Sequence, residues 1–156
     1  MLHRLHSLLA KIGEFLRSPL LLVIRLYWGW QFFVDGKGKL QNLDKVAANF
    51  ASWNIPMPKL NVVLAASIQC VCGLMLLAGL FSRFATLALI GVMCVAYATA
   101  ERVALGAIFR DPDKFVSADP FLFLFASVIV FAFGPGLISL DAIFFREKKA
   151  RPATPA

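Results

Sequence analysis

Hydrophobic and polar positions divide the chain into four long apolar runs, at 19–34, 60–81, 84–100 and 121–140, separated by short polar stretches. A bilayer core takes roughly 20 residues of helix, within a range of ~17–25. The second and fourth runs reach that length without a charge; the first contains Arg25, and the third reaches it with Glu101 and Arg102 at its edge. The pattern predicts an all-α fold, an integral membrane four-helix bundle.

Ahead of the first run, Leu5, Leu9, Ile12 and Leu16 recur at helical spacing while Arg4, Lys11, Glu14 and Arg17 fall elsewhere. That periodicity predicts an N-terminal amphipathic helix lying on the membrane surface. Ser18-Pro19 reads as N-cap and first residue of the first span, and Asp119-Pro120 repeats the device before the fourth. Asp35-Gly36-Lys37-Gly38-Lys39 reads as a break. Beyond it, Leu40, Leu43, Ala47 and Phe50 form a helical stripe, predicting a short interfacial helix between spans one and two that stops at Asn54-Ile55-Pro56-Met57-Pro58. A tight turn at Phe81-Ser82-Arg83 makes spans two and three antiparallel neighbours. The third helix is expected to continue past Glu101 to about residue 109, followed by a polar loop at 110–118, and the fourth to end at Gly134-Pro135-Gly136. The predicted organisation is an amphipathic segment at 1–18, a transmembrane domain at 19–141 and a basic, partly disordered tail at 142–156.

Composition sharpens this picture. Of 156 residues, 60% are apolar and 16% are charged, against ~25% charged in soluble domains. The net charge of +7 comes from residues mainly at run ends and in the tails, where anionic lipid headgroups attract them. The lipid bilayer is therefore the expected partner, and nucleic acid is not. The N-terminus lacks the form of a secretory signal, because 19–34 ends in Asp-Gly instead of a small-x-small cleavage site. With both termini inside, Arg4, Lys11, Arg17, Arg83, Arg146, Lys148, Lys149 and Arg151 share the inner side. Lys37, Lys39, Lys45, Lys59, Arg110 and Lys114 then lie outside. That bias favours cytoplasmic termini.

Candidate chemistry is confined to the few polar groups inside the runs. An arginine within a span costs at least ~2.5 kcal/mol on insertion scales, so it snorkels to the interface or faces protein. For Arg25 an inward position would offer Gln69 or Asp141 as partners, and Gly29 one turn later lets a helix approach that face. A rise of ~1.5 Å per residue puts Gln31 and Gln69 near the midplane, and Asp35, Lys39, Glu101 and Arg102 near the outer edge. Two readings of the amide layer stay open. Gln31 and Gln69 bond each other as interhelical glue; or, with Arg25, Trp30 and Tyr97, they form a pocket for a molecule with a polar head and an apolar body, such as a quinone. Cys70 and Cys94 fall at similar depth, either as a thiol pair or as small hydrophobes. His3 and His6 stand one turn apart, as a metal pair or as two solvated side chains. No histidine lies in a spanning run, so a bundle haem is not expected. No metal site is expected, and the catalytic residues, if any, are not readable.

Several segments together resemble the DoxX family of small four-helix bacterial membrane proteins. They are Arg25-Leu26 with Gly29, Gly36 with Lys39-Leu40, Gly73-Leu74-Met75-Leu76-Leu77-Ala78-Gly79-Leu80 through Arg83, Met93, and Gly134-Pro135-Gly136-Leu137-Ile138-Ser139-Leu140-Asp141. The resemblance extends over about residues 22–141. This chain carries Gln69 where the family often has a glutamate, and Glu101-Arg102 near where a histidine often follows the third helix. The resemblance implies a bacterial inner-membrane subunit of a quinone-linked oxidoreductase or oxidative-stress complex, and does not imply that this chain alone is an enzyme; a redox partner protein or a homo-oligomer is the expected protein partner. The resemblance also admits an assembly factor or scaffold.

Overall fold

The computed structural model of the chain describes residues 2–144. Among these residues all regular structure is helical: α1 (Leu2–Gln41), α2 (Leu43–Ser52), α3 (Pro58–Ala78), α4 (Ser82–Thr99), α5 (Arg102–Gly106), α6 (Pro112–Val116), α7 (Pro120–Phe133) and α8 (Leu140–Phe144). The four longest helices pack in sequence-neighbour order, α1 on α3, α3 on α4 and α4 on α7, and α7 returns to α1. Of the described helices, α3 and α4 are long and apolar enough to cross a membrane.

Helical spacing places one buried stripe on each of these helices. On α1 it runs Leu21, Arg25, Gly29, Phe32, Gly36; on α3, Val62, Ala66, Gln69, Gly73, Leu76; on α4, Ser82, Thr86, Leu89, Met93, Tyr97. Steps of three and four residues keep one seam facing a partner, as in left-handed helix pairs. Between α1 and α3 the seam is made of small residues. A Cβ on Gly29 would stand 2.9 Å from the Gly73 carbonyl oxygen, and one on Gly36 would stand 2.7 Å from that of Ala66. The two backbones therefore touch, and the pair runs antiparallel. Phe32, Leu76, Leu89, Met93 and Val130 close the core beside it.

The outer surface is apolar in turn. Val23, Phe84, Val95 and Leu122 are all more than half exposed, a distribution that water would penalise and lipid would not.

Several expected boundaries move. The break at Ser18-Pro19 is absent: α1 runs unbroken through Pro19. The Ser18 hydroxyl, expected to cap that helix, instead accepts a bond from Leu137 N–H at 2.9 Å, so a tertiary contact takes the capping group. The break at Asp35–Lys39 is absent too. Two interior glycines cost ~1 kcal/mol each against alanine, but Gly36 is the close contact to α3, and Lys39 bonds Asp35 one turn back across them at 2.5 Å. The third span stops at Thr99, with Ala100-Glu101 separating it from α5, and the polar loop at 110–118 holds the short helix α6. Pro120 starts α7 as expected, but Asp119 makes no side-chain cap. Helix α7 does end where expected, at Gly134-Pro135-Gly136, which turns the chain before the end of the apolar run and leaves a helix of 14 residues, about 21 Å at ~1.5 Å per residue.

The tight α3–α4 turn forms as expected but two residues early, at Gly79-Leu80-Phe81, so that Ser82 and Arg83 already belong to α4; Gly79 (φ 68°) and Phe81 (φ 46°) are in the left-handed region, which lets the chain reverse before the expected residues. Other expectations hold. Helix α2 forms where the second amphipathic stripe predicted a helix; Asp44 on it pairs with Lys59 at 2.8 Å, which holds the carboxyl below its ordinary range. The tail beyond Phe144 and the His3 side chain, and with them the expected fraying and the histidine pair, lie outside the described residues.

Candidate functional site

Polar groups gather at two levels of the helix bundle. At one end, α1 carries Arg25 into the core, where it is 1% exposed. Its Nε donates to Leu76 O at 3.1 Å and Nη2 to Leu77 O at 3.4 Å, while Nη1 donates to Ile138 O at 3.0 Å and to Pro135 O. The cation thus sits on the carbonyl end of α3, where the helix dipole favours positive charge, and ties it to the Gly-Pro-Gly loop. Arg25 points inward as one expectation had it, but bonds neither Gln69 nor the Asp141 carboxylate. Gln69 lies about 11 Å further along α3, at ~1.5 Å per residue. The carboxylate of Asp141 accepts from Phe81 N–H at 2.7 Å and Ser82 N–H at 2.9 Å, capping α4. Its own N–H donates to Gly79 O at 2.8 Å.

Near the mid-length of α3, α1 and α3 bring together Asp35, Lys39 and Gln69. Gln69 is fully buried. Its Nε2 donates to Asp35 Oδ2 at 2.7 Å, and Lys39 Nζ donates to Gln69 Oε1 at 2.8 Å and to the same Asp35 oxygen at 2.5 Å. The ammonium has three N–H donors, of which two are used. One N–H of Lys39 and the Asp35 Oδ1 acceptor are left without a partner among the described residues.

Asp35 and Lys39 form part of the rim of a groove of about 1150 Å³ between α1, α2, α3, α4 and α7. The rim continues through Asn42, Asn49 and Glu101; the walls are apolar, with Phe50 and Trp53 of α2, Met93 of α4 and Phe123 of α7. Apolar walls with a few convergent polar groups are the usual form of a small-molecule site.

The other predicted site residues are dispersed. Gln31 precedes the buried Phe32 by one residue, about 100° around the helix; it is half-buried and its side chain makes no hydrogen bond among the described residues. It therefore does not meet Gln69, which bonds Asp35 one turn further on. Trp30 is 55% exposed on the outside of α1. Tyr97 is buried, stacks on Phe115 with ring centroids 4.6 Å apart, and donates its hydroxyl to Phe115 O at 2.8 Å. Of the expected outer layer, Asp35, Lys39 and Glu101 border the groove, while Arg102 donates to Ala98 O at 2.8 Å and Trp53 O at 3.5 Å. Cys70 lies against the Phe33 carbonyl at 3.8 Å, Cys94 is exposed on α4, and both are free thiols. Asn42, Asn49, Phe50 and Trp53 were not singled out from the sequence as site residues; the amphipathic stripe of α2 was the signal for that wall.

An apolar outer surface and two membrane-length helices are the features of a helical membrane protein. The DoxX family profile matches residues 20–109, more than half of the chain. The protein belongs to the DoxX family. No curated protein and no solved structure shows a significant match to it.

Proposed function

We propose that this protein is the membrane subunit of a quinone-linked oxidoreductase or oxidative-stress redox complex of the bacterial inner membrane. In this reading α1 and α7 cross the bilayer beside α3 and α4, both termini are cytoplasmic, and a redox partner protein supplies the electrons. One observation carries the reading: the groove pairs apolar walls with a rim bearing an unused Lys39 donor and an unused Asp35 acceptor. A bound quinone supplies a carrier that takes up two electrons and two protons at its ring oxygens. Lys39 is suited to donate to one ring oxygen, Asp35 to accept or hand on a proton at Oδ1, and Phe50 or Trp53 to flank the ring. Gln69 orients the pair from behind. Arg25, Trp30, Tyr97 and Gln31 take no part in this version of the site.

The test is the quinone content of the purified protein. The parent should carry near-stoichiometric quinone in a solvent extract. Lys39→Met and Gln69→Leu should lower it at least about tenfold, the scale of one hydrogen bond to a charged group, with the fold retained by circular dichroism. Parent protein free of quinone but holding a stable partner protein would favour the alternative, an assembly factor or scaffold.

A further inference from the structure

The opposite end of the molecule holds a second cleft, of about 960 Å³, between α1, the α3–α4 turn, α4 and the loop after α7. Two guanidinium groups converge there on a single peptide. Arg17 Nη2 donates to Phe133 O at 2.9 Å and lies 5.4 Å from the Phe133 ring centroid. Arg83 reaches the adjacent Gly134, where a Cβ would stand 3.8 Å from its Nη2. The Arg83 side chain makes no hydrogen bond or ion pair among the described residues, and Arg17 satisfies only part of its five-donor fork. Two carboxylates also border the cleft. Asp141 has both oxygens committed to the backbone of Phe81 and Ser82, and Glu14 forms no ion pair among the described residues. The Ser82 hydroxyl is buried with no hydrogen-bond partner among the described residues. Around the arginines the lining is apolar and open: Phe84 is 74% exposed and Leu137 79%. The cleft lies at the ends of α3, α4 and α7, which in the proposed bilayer arrangement meet the headgroup layer.

We infer that this cleft is a binding site for one anionic phospholipid. Its phosphate is held between Arg17 and Arg83, and its acyl chains lie along Phe84 and Leu137. Basic clefts between membrane helices suit such headgroups, and paired guanidinium forks suit phosphate oxygens. The lipid, and not a free phosphate, is the occupant because half of the lining has no use for a small ion.

The experiment is native mass spectrometry of the full chain in neutral detergent, titrated with phosphatidylglycerol, diacylglycerol or inorganic phosphate. The parent should retain one tightly held phosphatidylglycerol. Arg83→Gln should weaken that binding about fivefold and Arg17→Gln with Arg83→Gln about 25-fold, by the typical contribution of a basic residue at an anionic membrane surface. Arg110→Gln, at the other end of the molecule, should leave it unchanged. Because the Arg83 side chain has no polar partner among the described residues, the single variant remains informative if the double variant fails to assemble. Equal phosphatidylglycerol retention by Arg83→Gln and parent overturns the inference. So does equal retention of diacylglycerol, which would make the cleft merely apolar, or binding of inorganic phosphate without the lipid.

Discussion

Arg25 spends four of its five N–H groups on four backbone carbonyls from two separate segments, and a planar fork is what allows this. Lysine has three donors on one nitrogen and cannot reach both the α3 terminus and the Gly-Pro-Gly loop in that geometry. Arg25→Lys should therefore lose about 2 kcal/mol or more of stability, since hydrogen bonds to charged groups contribute ~1.5–3 kcal/mol each. Arg25→Leu should lose more, because it leaves all four carbonyls without this donor. Denaturation of the purified protein in mixed micelles reads both; parent-like stability of the lysine variant would return Arg25 to a snorkelling role. That an arginine in an apolar run anchors the fold was legible, because a charge there must be paired. Its partners were not, since backbone carbonyls leave no mark in a sequence. Gln31 failed for a related reason. Depth along a helix follows from residue number, but the facing direction follows from which stripe is buried, and Phe32 with Gly36 set that stripe one residue away.

Whole helices were legible where apolar periodicity was long, in α3, α4 and the amphipathic α2, and misread where a local signal met a tertiary contact. Pro19 and the Gly36–Gly38 pair are ordinary breakers, yet α1 passes through both. At Gly36 the reason is close packing on α3, where a Cβ would stand 2.8 Å from Cys70 Sγ as well as crowding Ala66. Gly36→Ala should push the two helices apart at a cost of about 1–3 kcal/mol, typical of overpacking. It should also separate Asp35 and Lys39 from Gln69. The same micelle denaturation measures the first effect. Cysteine cross-linking between positions 35 and 69, in a background with the native cysteines replaced, measures the second. An undiminished cross-link in the alanine variant would show that the α1–α3 seam does not depend on the missing Cβ.

The molecule as a whole places its polar chemistry at two levels, the Arg25 clamp at one end and the Asp35–Lys39–Gln69 cluster near the mid-length of α3. A basic cleft adjoins the clamp, and a groove closed by α2 adjoins the cluster. The apolar composition made a membrane protein legible, and the polar residues inside the runs marked both polar levels. The groove itself was not legible, because it depends on α2 folding back beside α3 and on α1 staying helical to Gln41. Everything proposed for function rests on this groove, and not the Trp30–Gln31 face of α1, holding the quinone. Photolabelling of the parent protein with an azido-benzoquinone, followed by peptide mapping, locates the ring. Adducts should fall on the groove walls, around Phe50, Trp53 and 91–101, and excess unlabelled quinone should suppress them. Suppressible labelling at Trp30, or none above background in the groove, would contradict the assignment.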